Sequence, residues 1–360
     1  MSSAVGGVDR KIAVLPTLTS LRWFAALVVF GYHLSTSTGW LPARAFGFGQ
    51  AGVAFFFVLS GFVLTWSHRP STSIKQFYRR RFARVYPSHF AMFVVAFVIS
   101  VVWGSVGIHG GVTEALSNIT LTQAWLVSPH LIYSYNSPSW TLSVEAFFYL
   151  LFPFIFTAFT RLTPKARTRV AIIAIIVGFS ATLVLALVGL GGSIAFPNPV
   201  LRLPQFVLGI ALAMYVREHT PKWKSLRLPT IVLAISLPIA LVTPLFPLQD
   251  YVLIPAIAML LLVGSTRDIQ GIRTWLSRPI WVYMGELSFC FYLVHEIVII
   301  LFVESVWADV TWSLSSGVIP AVVTFAVSVG AAMALHHGIE KPLQRALSGR
   351  SKVAQRAPTV

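Results

Sequence analysis

Residues 170–190 read VAIIAIIVGFSATLVLALVGL, an unbroken apolar run with no charge. At 1.5 Å of rise per residue, a run of about 20 residues crosses the ~30 Å hydrocarbon layer of a bilayer as one helix. A transmembrane barrel instead needs alternating segments of about 10 residues, so this run excludes it. Similar stretches recur at 21–36, 51–67, 87–106, 141–160, 203–216, 230–247, 251–266, 284–303 and 316–337, with no polar block long enough for a soluble domain. Composition agrees: 56% of the 360 residues are hydrophobic, 11% are charged, and the mean hydropathy is +0.78. Soluble domains carry about 25% charged residues. The expected fold is an all-α polytopic bundle of about ten spans within 1–345, followed by a basic, frayed tail at 346–360.

The net charge of +16 reports topology before it reports partners. With the N-terminus inside, nearly all of the 27 lysines and arginines fall in cytoplasmic segments, from Arg10 and Lys11, through Lys222 and Lys224, to Arg350, Lys352 and Arg356. Arg44 and Arg202 lie on the other side, and Arg22 sits at the inner end of the first span. This positive-inside bias places both termini in the cytoplasm and argues against nucleic acid as the reason for the charge. Arg10 and Lys11, the apolar stretch after them and Ala43-Arg44-Ala45 loosely imitate a secretory signal, but Arg22 within that stretch is foreign to one. Cys290 is the only cysteine, so neither an intrachain disulfide nor a thiolate metal cluster is expected. No internal repeat of the kind common in transporters is evident.

Within the first span, Arg22 and His33 are the ionisable residues, and such groups at membrane depth mark function by default. Their separation amounts to about three helical turns and ~16.5 Å of rise, so both project from one face. A lone buried histidine more often hydrogen-bonds a neighbouring helix; with Arg22 below it, the reading as a general base gains weight. Between Phe77 and Pro87 stand Arg79, Arg80, Arg81 and Arg84. They serve as topological anchors, as contacts for anionic lipid, or, for Arg81 and Arg84 on one helical side, as a phosphate site suited to bidentate guanidinium.

Ser139 enters the fourth span as a candidate helix cap, beside Trp140 and Ser143, with Glu145 about one turn in. A carboxylate there pairs with a cation or is held neutral; orienting His33 and binding a substrate hydroxyl are both open roles. In the ninth span Ser288, Tyr292 and His295 share a face by their spacing, and His295 with Glu296 offers a second acid–base pair. Trp140, Ser143, Ser288, Tyr292 and His295 read equally as helix–helix contacts or as the lining of a substrate channel. The loop from Gly107 to Ser139, free of Lys and Arg, reads as a connector, a lid or part of an acceptor site. Hydrolase-elbow, Walker and zinc-binding signatures are absent from the sequence, so no metal is expected.

At these places the chain resembles the acyltransferase-3 family of multipass membrane O-acyltransferases. The resemblance rests on Leu18 to Ala26 with His33, Val53 to Phe62, Arg79 to Pro87, Ser139 to Glu145 and Ser288 to His295, in the family's order. It implies transfer of an acyl group from acyl-CoA, a co-substrate and not a resident cofactor, to a sugar hydroxyl at a bacterial inner membrane. Acceptors in the family include envelope glycans and sugar-bearing macrolides. It implies that His33 is catalytic, with a weaker assignment for Glu145, and that Arg22, Arg81 and Arg84 serve the acyl donor. Some members continue into an extracytoplasmic hydrolase-like domain; this sequence stops soon after the last span, which favours a separate relay partner or direct transfer. The pantetheine arm is roughly as long as the ~16.5 Å rise from Arg22 to His33. A transporter or flippase of a polar lipid or glycan is the alternative from another class, and an oligomer is left open.

Overall fold

The computed structural model describes residues 14–40, 46–104, 107–219, 225–243, 245–313 and 315–348. Arg10, Lys11, Ala43 to Ala45, Lys222, Lys224, Arg350, Lys352 and Arg356, on which part of the charge and signal arguments rest, lie outside the described residues, as does the tail beyond 348. Among the described residues there is no strand, and each expected span falls on a helix. These are α1 (Pro16–Thr38), α2 (Ala51–Ser67), α3 (Ile74–Val102), the short α4 (Val112–Ile119), α5 (Trp140–Thr160), α6 (Pro164–Leu187) and α7 (Pro199–Glu218). They continue as α8 (Arg227–Val242), α9 (Gln249–Ile269), α10 (Pro279–Leu301), α11 (Val318–Leu335) and α12 (Lys341–Leu347). Eight helices among the described residues are long and apolar enough to cross a membrane, making this a multi-pass membrane protein. The two long helices outside that set are α1, which carries Arg22, Tyr32 and His33, and α8, at 16 residues.

Lipid inverts the usual inside-out rule at the periphery. Ile172, Ile173, Ile176 and Val177 of α6 are exposed, as a bilayer-facing helix requires, whereas α2 is buried along most of its length. Two crossings hold the centre, and both depend on missing side chains. A Cβ on Gly61 of α2 would stand 2.1 Å from the Phe206 carbonyl oxygen of α7, and one on Gly209 of α7 would stand 2.0 Å from that of Val58. At the α1–α10 crossing a Cβ on Gly285 would lie 1.9 Å from the Thr19 carbonyl oxygen. Small residues permit this backbone approach, which drives helix association where no hydrophobic force acts between helices. Trp23 and Phe291, with ring centroids 4.9 Å apart, extend the α1–α10 contact.

Two expectations need correction. The third span does not begin at residue 87: α3 starts at Ile74, where the Ser73 hydroxyl accepts the Gln76 N–H at 3.2 Å, and continues through Pro87. At 29 residues and about 43 Å it exceeds the hydrocarbon layer, so the arginines occupy its projecting first turns instead of a preceding loop. Ser139, in turn, caps nothing with its side chain; its hydroxyl donates to Asn118 Oδ1 at 3.0 Å.

That bond belongs to a larger departure from a surface loop. The segment after Gly107 turns back into the bundle through α4, so that Tyr86 donates to the Ile119 carbonyl (3.1 Å) and His89 Nε2 meets the Asn118 carbonyl (2.9 Å). Both contacts lie about 20 Å along α3 from its start. Asn118 Nδ2 donates to Ser134 Oγ (2.8 Å), Gln123 Nε2 to the Ser139 carbonyl (3.1 Å) and Asn136 Nδ2 to the Leu293 carbonyl of α10 (2.9 Å). Irregular backbone at membrane depth is tolerated only when protein satisfies its polar groups, and these buried amides do so.

Gly285→Ala should lower stability by about 1–3 kcal/mol, because overpacking forces α1 and α10 apart. Gly330→Ala on α11, where nothing stands within 4 Å of the added carbon, should leave it unchanged. Thermal unfolding of the two purified variants, followed by loss of the monodisperse peak, makes the comparison.

Candidate active site

The α1–α10 crossing brings together two residues that lie far apart in the chain. His33 Nδ1 stands 2.7 Å from Glu296 Oε2. Rings of Tyr32 and His295 stand edge-on to the His33 imidazole, with centroids 5.3 and 5.2 Å away. With Nδ1 committed to the carboxylate, Nε2 is the nitrogen free to exchange a proton with a bound molecule. The ring borders a cavity of about 310 Å³, shared with Tyr32, Gln50, Tyr133, Trp140, Phe196 and Tyr292.

This cavity adjoins a second, which adjoins a third. Val53 and Tyr292 line both the first and a neck of about 50 Å³; Arg22, Phe56, Glu145 and Phe289 line both the neck and a third cavity of about 140 Å³. Arg81, Arg84 and Tyr149 complete the wall of the third. The arginines and His33 thus sit at opposite ends of one chain of cavities running beside α1. Phe56 and Tyr292, with ring centroids 5.9 Å apart, both line the neck.

The three arginines differ in what holds them. Arg84 pairs closely with Glu340, a fully buried carboxylate whose other oxygen also takes His336 Nδ1 (2.5 Å) and the Cys290 thiol (2.9 Å). Glu340 reaches inward because residues His336–Glu340 form a π-helical turn between α11 and α12, a distortion often found at functional sites. Arg22 and Arg81, by contrast, have no carboxylate within ion-pair distance among the described residues, and Arg81 Nε has no hydrogen-bond acceptor. Arg81 lies over the Phe77 ring at 5.8 Å. Two guanidinium groups without a direct ion pair, at one cavity that Glu145 also lines, have the chemistry to take an anion.

Glu145 does not approach the His33 cavity. Its Oε2 accepts the Tyr149 hydroxyl at 2.7 Å, one turn along α5, and it faces the cavity of Arg22 and Arg81. Of the five candidate channel residues, Trp140 and Tyr292 line these cavities, and the other three are outside their linings. Ser143 Oγ accepts the Ala124 N–H (3.3 Å), tying the re-entrant segment to α5. Ser288 donates back to Gly285 (2.8 Å), and His295 is fully buried with Nδ1 on the Tyr292 carbonyl (2.8 Å). Glu296 is the partner that sequence reading named only as an acid–base candidate; a carboxylate next to His295 in an apolar span was its signal. Glu340 gave none, falling past the expected end of the last span. Two trios among the described residues offer metal-compatible donors within 4.8 Å of one another: His33, His295 and Glu296, and Cys290, His336 and Glu340.

The cavity wall behind Trp140 rests on a buried ion pair. Arg202 Nη1 lies 2.6 Å from Asp250 Oδ2, both side chains 2% exposed, and Arg202 Nε donates to the Phe196 carbonyl at 2.6 Å.

An acyltransferase-3 family model, described as an acyltransferase domain, matches residues 15–337. The chain belongs to this family. It is therefore an acyltransferase, and the matched residues take in α1, with Arg22 and His33, and run to the end of α11. Acyltransferase MdmB of Streptomyces mycarofaciens is 34% identical over 371 residues, covering 96% of this chain and 95% of that protein. Peptidoglycan O-acetyltransferase OatA of Listeria monocytogenes is 30% identical over 174 residues, covering 44% of this chain and 27% of that protein. The chain thus spans nearly all of MdmB and about a quarter of OatA. No solved structure matches it.

Asp250→Ala leaves a buried guanidinium without its counter-charge and should cost about 3–5 kcal/mol, whereas Arg202→Met with Asp250→Leu should recover most of that loss. Thermal unfolding of the single and double variants reads the difference.

Proposed function

We propose that this acyltransferase moves a short acyl group, such as acetyl, from acyl-CoA to a sugar hydroxyl, with donor and acceptor entering from opposite ends of the chain of cavities. The observation that carries the reading is the adjoining series of three cavities, with Arg22 and Arg81 at one end and the His33–Glu296 pair at the other. The donor's phosphates bind the two unpaired arginines from the cytoplasm, and its pantetheine arm runs past Phe56 and Tyr292. The arm needs to cover about the ~16.5 Å rise between Arg22 and His33. The thioester then lies beside the imidazole.

His33 Nε2 takes the proton of the acceptor hydroxyl as its oxygen attacks the thioester carbonyl. The new C–O bond forms a tetrahedral intermediate. Its collapse breaks the C–S bond, and the departing thiolate recovers the proton from the imidazolium as free CoA. Glu296 holds the ring in position and stabilises the imidazolium, the role a carboxylate plays behind a histidine base. Glu145 and Tyr149 border the donor's path instead of the reacting atoms. The acceptor is a glycan or a glycosylated natural product such as a macrolide. The likeness to the peptidoglycan O-acetyltransferase OatA supports a glycan acceptor. The enzyme works in the bacterial inner membrane.

Purified protein given labelled acetyl-CoA and a sugar acceptor should release free thiol and labelled product together; a transporter releases neither. His33→Ala should lower kcat by about 10²–10⁴. If it left thiol release intact, the assignment of the base would be wrong. Arg22→Ala and Arg81→Ala should each raise the KM for the donor and leave that for the acceptor alone; equal effects on both would point to folding.

Glu296→Gln, which keeps shape and removes charge, should lower kcat at least about tenfold with both KM values unchanged. An unaltered kcat would remove Glu296 from the mechanism.

A further inference from the structure

The wall of the His33 cavity carries a feature that base chemistry does not require. Trp140, Phe196 and Phe246 form a continuous series of rings, with centroids 4.9 Å apart from Trp140 to Phe196 and 4.9 Å again from Phe196 to Phe246. All three line the cavity. They come from α5, the turn before α7 and the turn before α9, so the wall exists only in the assembled bundle. Apart from the reacting pair, the polar residues that line it carry no charge: Tyr32, whose hydroxyl accepts from Gln50 Nε2 at 2.9 Å, with Gln50, Thr36, Tyr133, Ser137 and Tyr292.

We propose that the Trp140–Phe196–Phe246 wall is a stacking platform for an uncharged pyranose ring, and that the cavity selects neutral sugars over sugar acids. The inference rests on the acyltransferase reading above and adds the class of acceptor. An aromatic face carries negative quadrupolar charge, and the C–H bonds on one side of a pyranose present the complementary positive edge. Stacking there leaves the ring's hydroxyls directed at the polar groups and at His33.

Charge selection follows from what the cavity lacks. No lysine or arginine lines it among the described residues, and Glu296, its one carboxylate, is engaged with His33. A uronate brought in would be stripped of water, meet no lysine or arginine among the described residues and face Glu296, a penalty that a neutral ring escapes. Arg202 does not supply the missing cation. Its guanidinium lies 4.7 Å from the Phe196 centroid, but Asp250 at 2.6 Å cancels its charge in place. It braces the ring and does not attract an anion. The volume of about 310 Å³ is at the small end of ligand pockets and has room for one pyranose ring.

The test measures binding without any donor. The full chain in lipid nanodiscs is titrated with methyl glucopyranoside, methyl rhamnopyranoside and methyl glucopyranosiduronate, followed by saturation-transfer NMR. The neutral glycosides should bind at least about tenfold more tightly than the uronate. Saturation should be strongest on the C–H protons of one ring face. Trp140→Ala and Phe196→Ala should each weaken neutral binding by about fivefold or more, with Phe196→Tyr restoring it, since stacking needs only a ring. Equal or tighter binding of the uronate, alanine variants that bind as the parent does, or no saturable binding of the neutral glycosides would overturn the proposal. Selective binding without thiol release from acyl-CoA would instead sink the acyl-transfer reading and leave the platform standing.

Discussion

The contact between His33 and Glu296 is the constraint around which the rest of the bundle is arranged. A carboxylate within apolar helices is expensive unless a partner meets it. The partner stands on α1, so α1 and α10 must cross closely enough for the 2.7 Å approach. Gly285 against the Thr19 carbonyl, and Trp23 against Phe291, allow that crossing and hold it. The same contact leaves one imidazole nitrogen for chemistry. In the proposed reaction, packing and reactivity therefore share a single geometric requirement.

The far end of the site follows the same economics with a different outcome. Arg84 meets Glu340, and that carboxylate is itself surrounded by His336 and Cys290, so this guanidinium is fixed by the fold. Arg22 and Arg81 border the same cavity without an ion-pair partner among the described residues. In the proposed reaction the donor's phosphates supply the missing negative charge, which gives the empty and occupied states different electrostatic balances. Three arginines of similar appearance in sequence thus divide into one paired with a buried carboxylate and two that, in the proposed reaction, take the donor's phosphates.

Between these ends lies the re-entrant segment after Gly107. Its buried Asn118, Gln123 and Asn136 hold irregular backbone inside the bundle by bonding to one another's neighbours and to α10. Tyr133, Ser137 and Pro138 then line the His33 cavity from this segment. An extramembrane connector would have left that side of the imidazole to lipid or water. Folding it inward gives the site a polar wall that a purely helical bundle cannot supply.

Much of this was legible in the chain itself. Long apolar runs dictate helices because no other element satisfies its backbone in lipid, and each expected span does fall on one. Arg22 and His33 share a face because helical periodicity is local. What sequence could not reach depends on which helices touch. Glu145 was open to a role beside His33, but the packing of α5 sets it with Tyr149 and the arginines, while Glu296 takes the place by the imidazole. Ser143 and Ser288 have the residue types of a channel lining yet spend their hydroxyls on backbone, as His295 does its Nδ1. The 107–139 segment has the composition of a surface loop, and only its hydrogen bonds to distant helices bring it inside. Periodicity and hydropathy are properties of neighbours along the chain, so they determined the helices; partner choice is a property of neighbours in space, so only the assembled bundle could decide it.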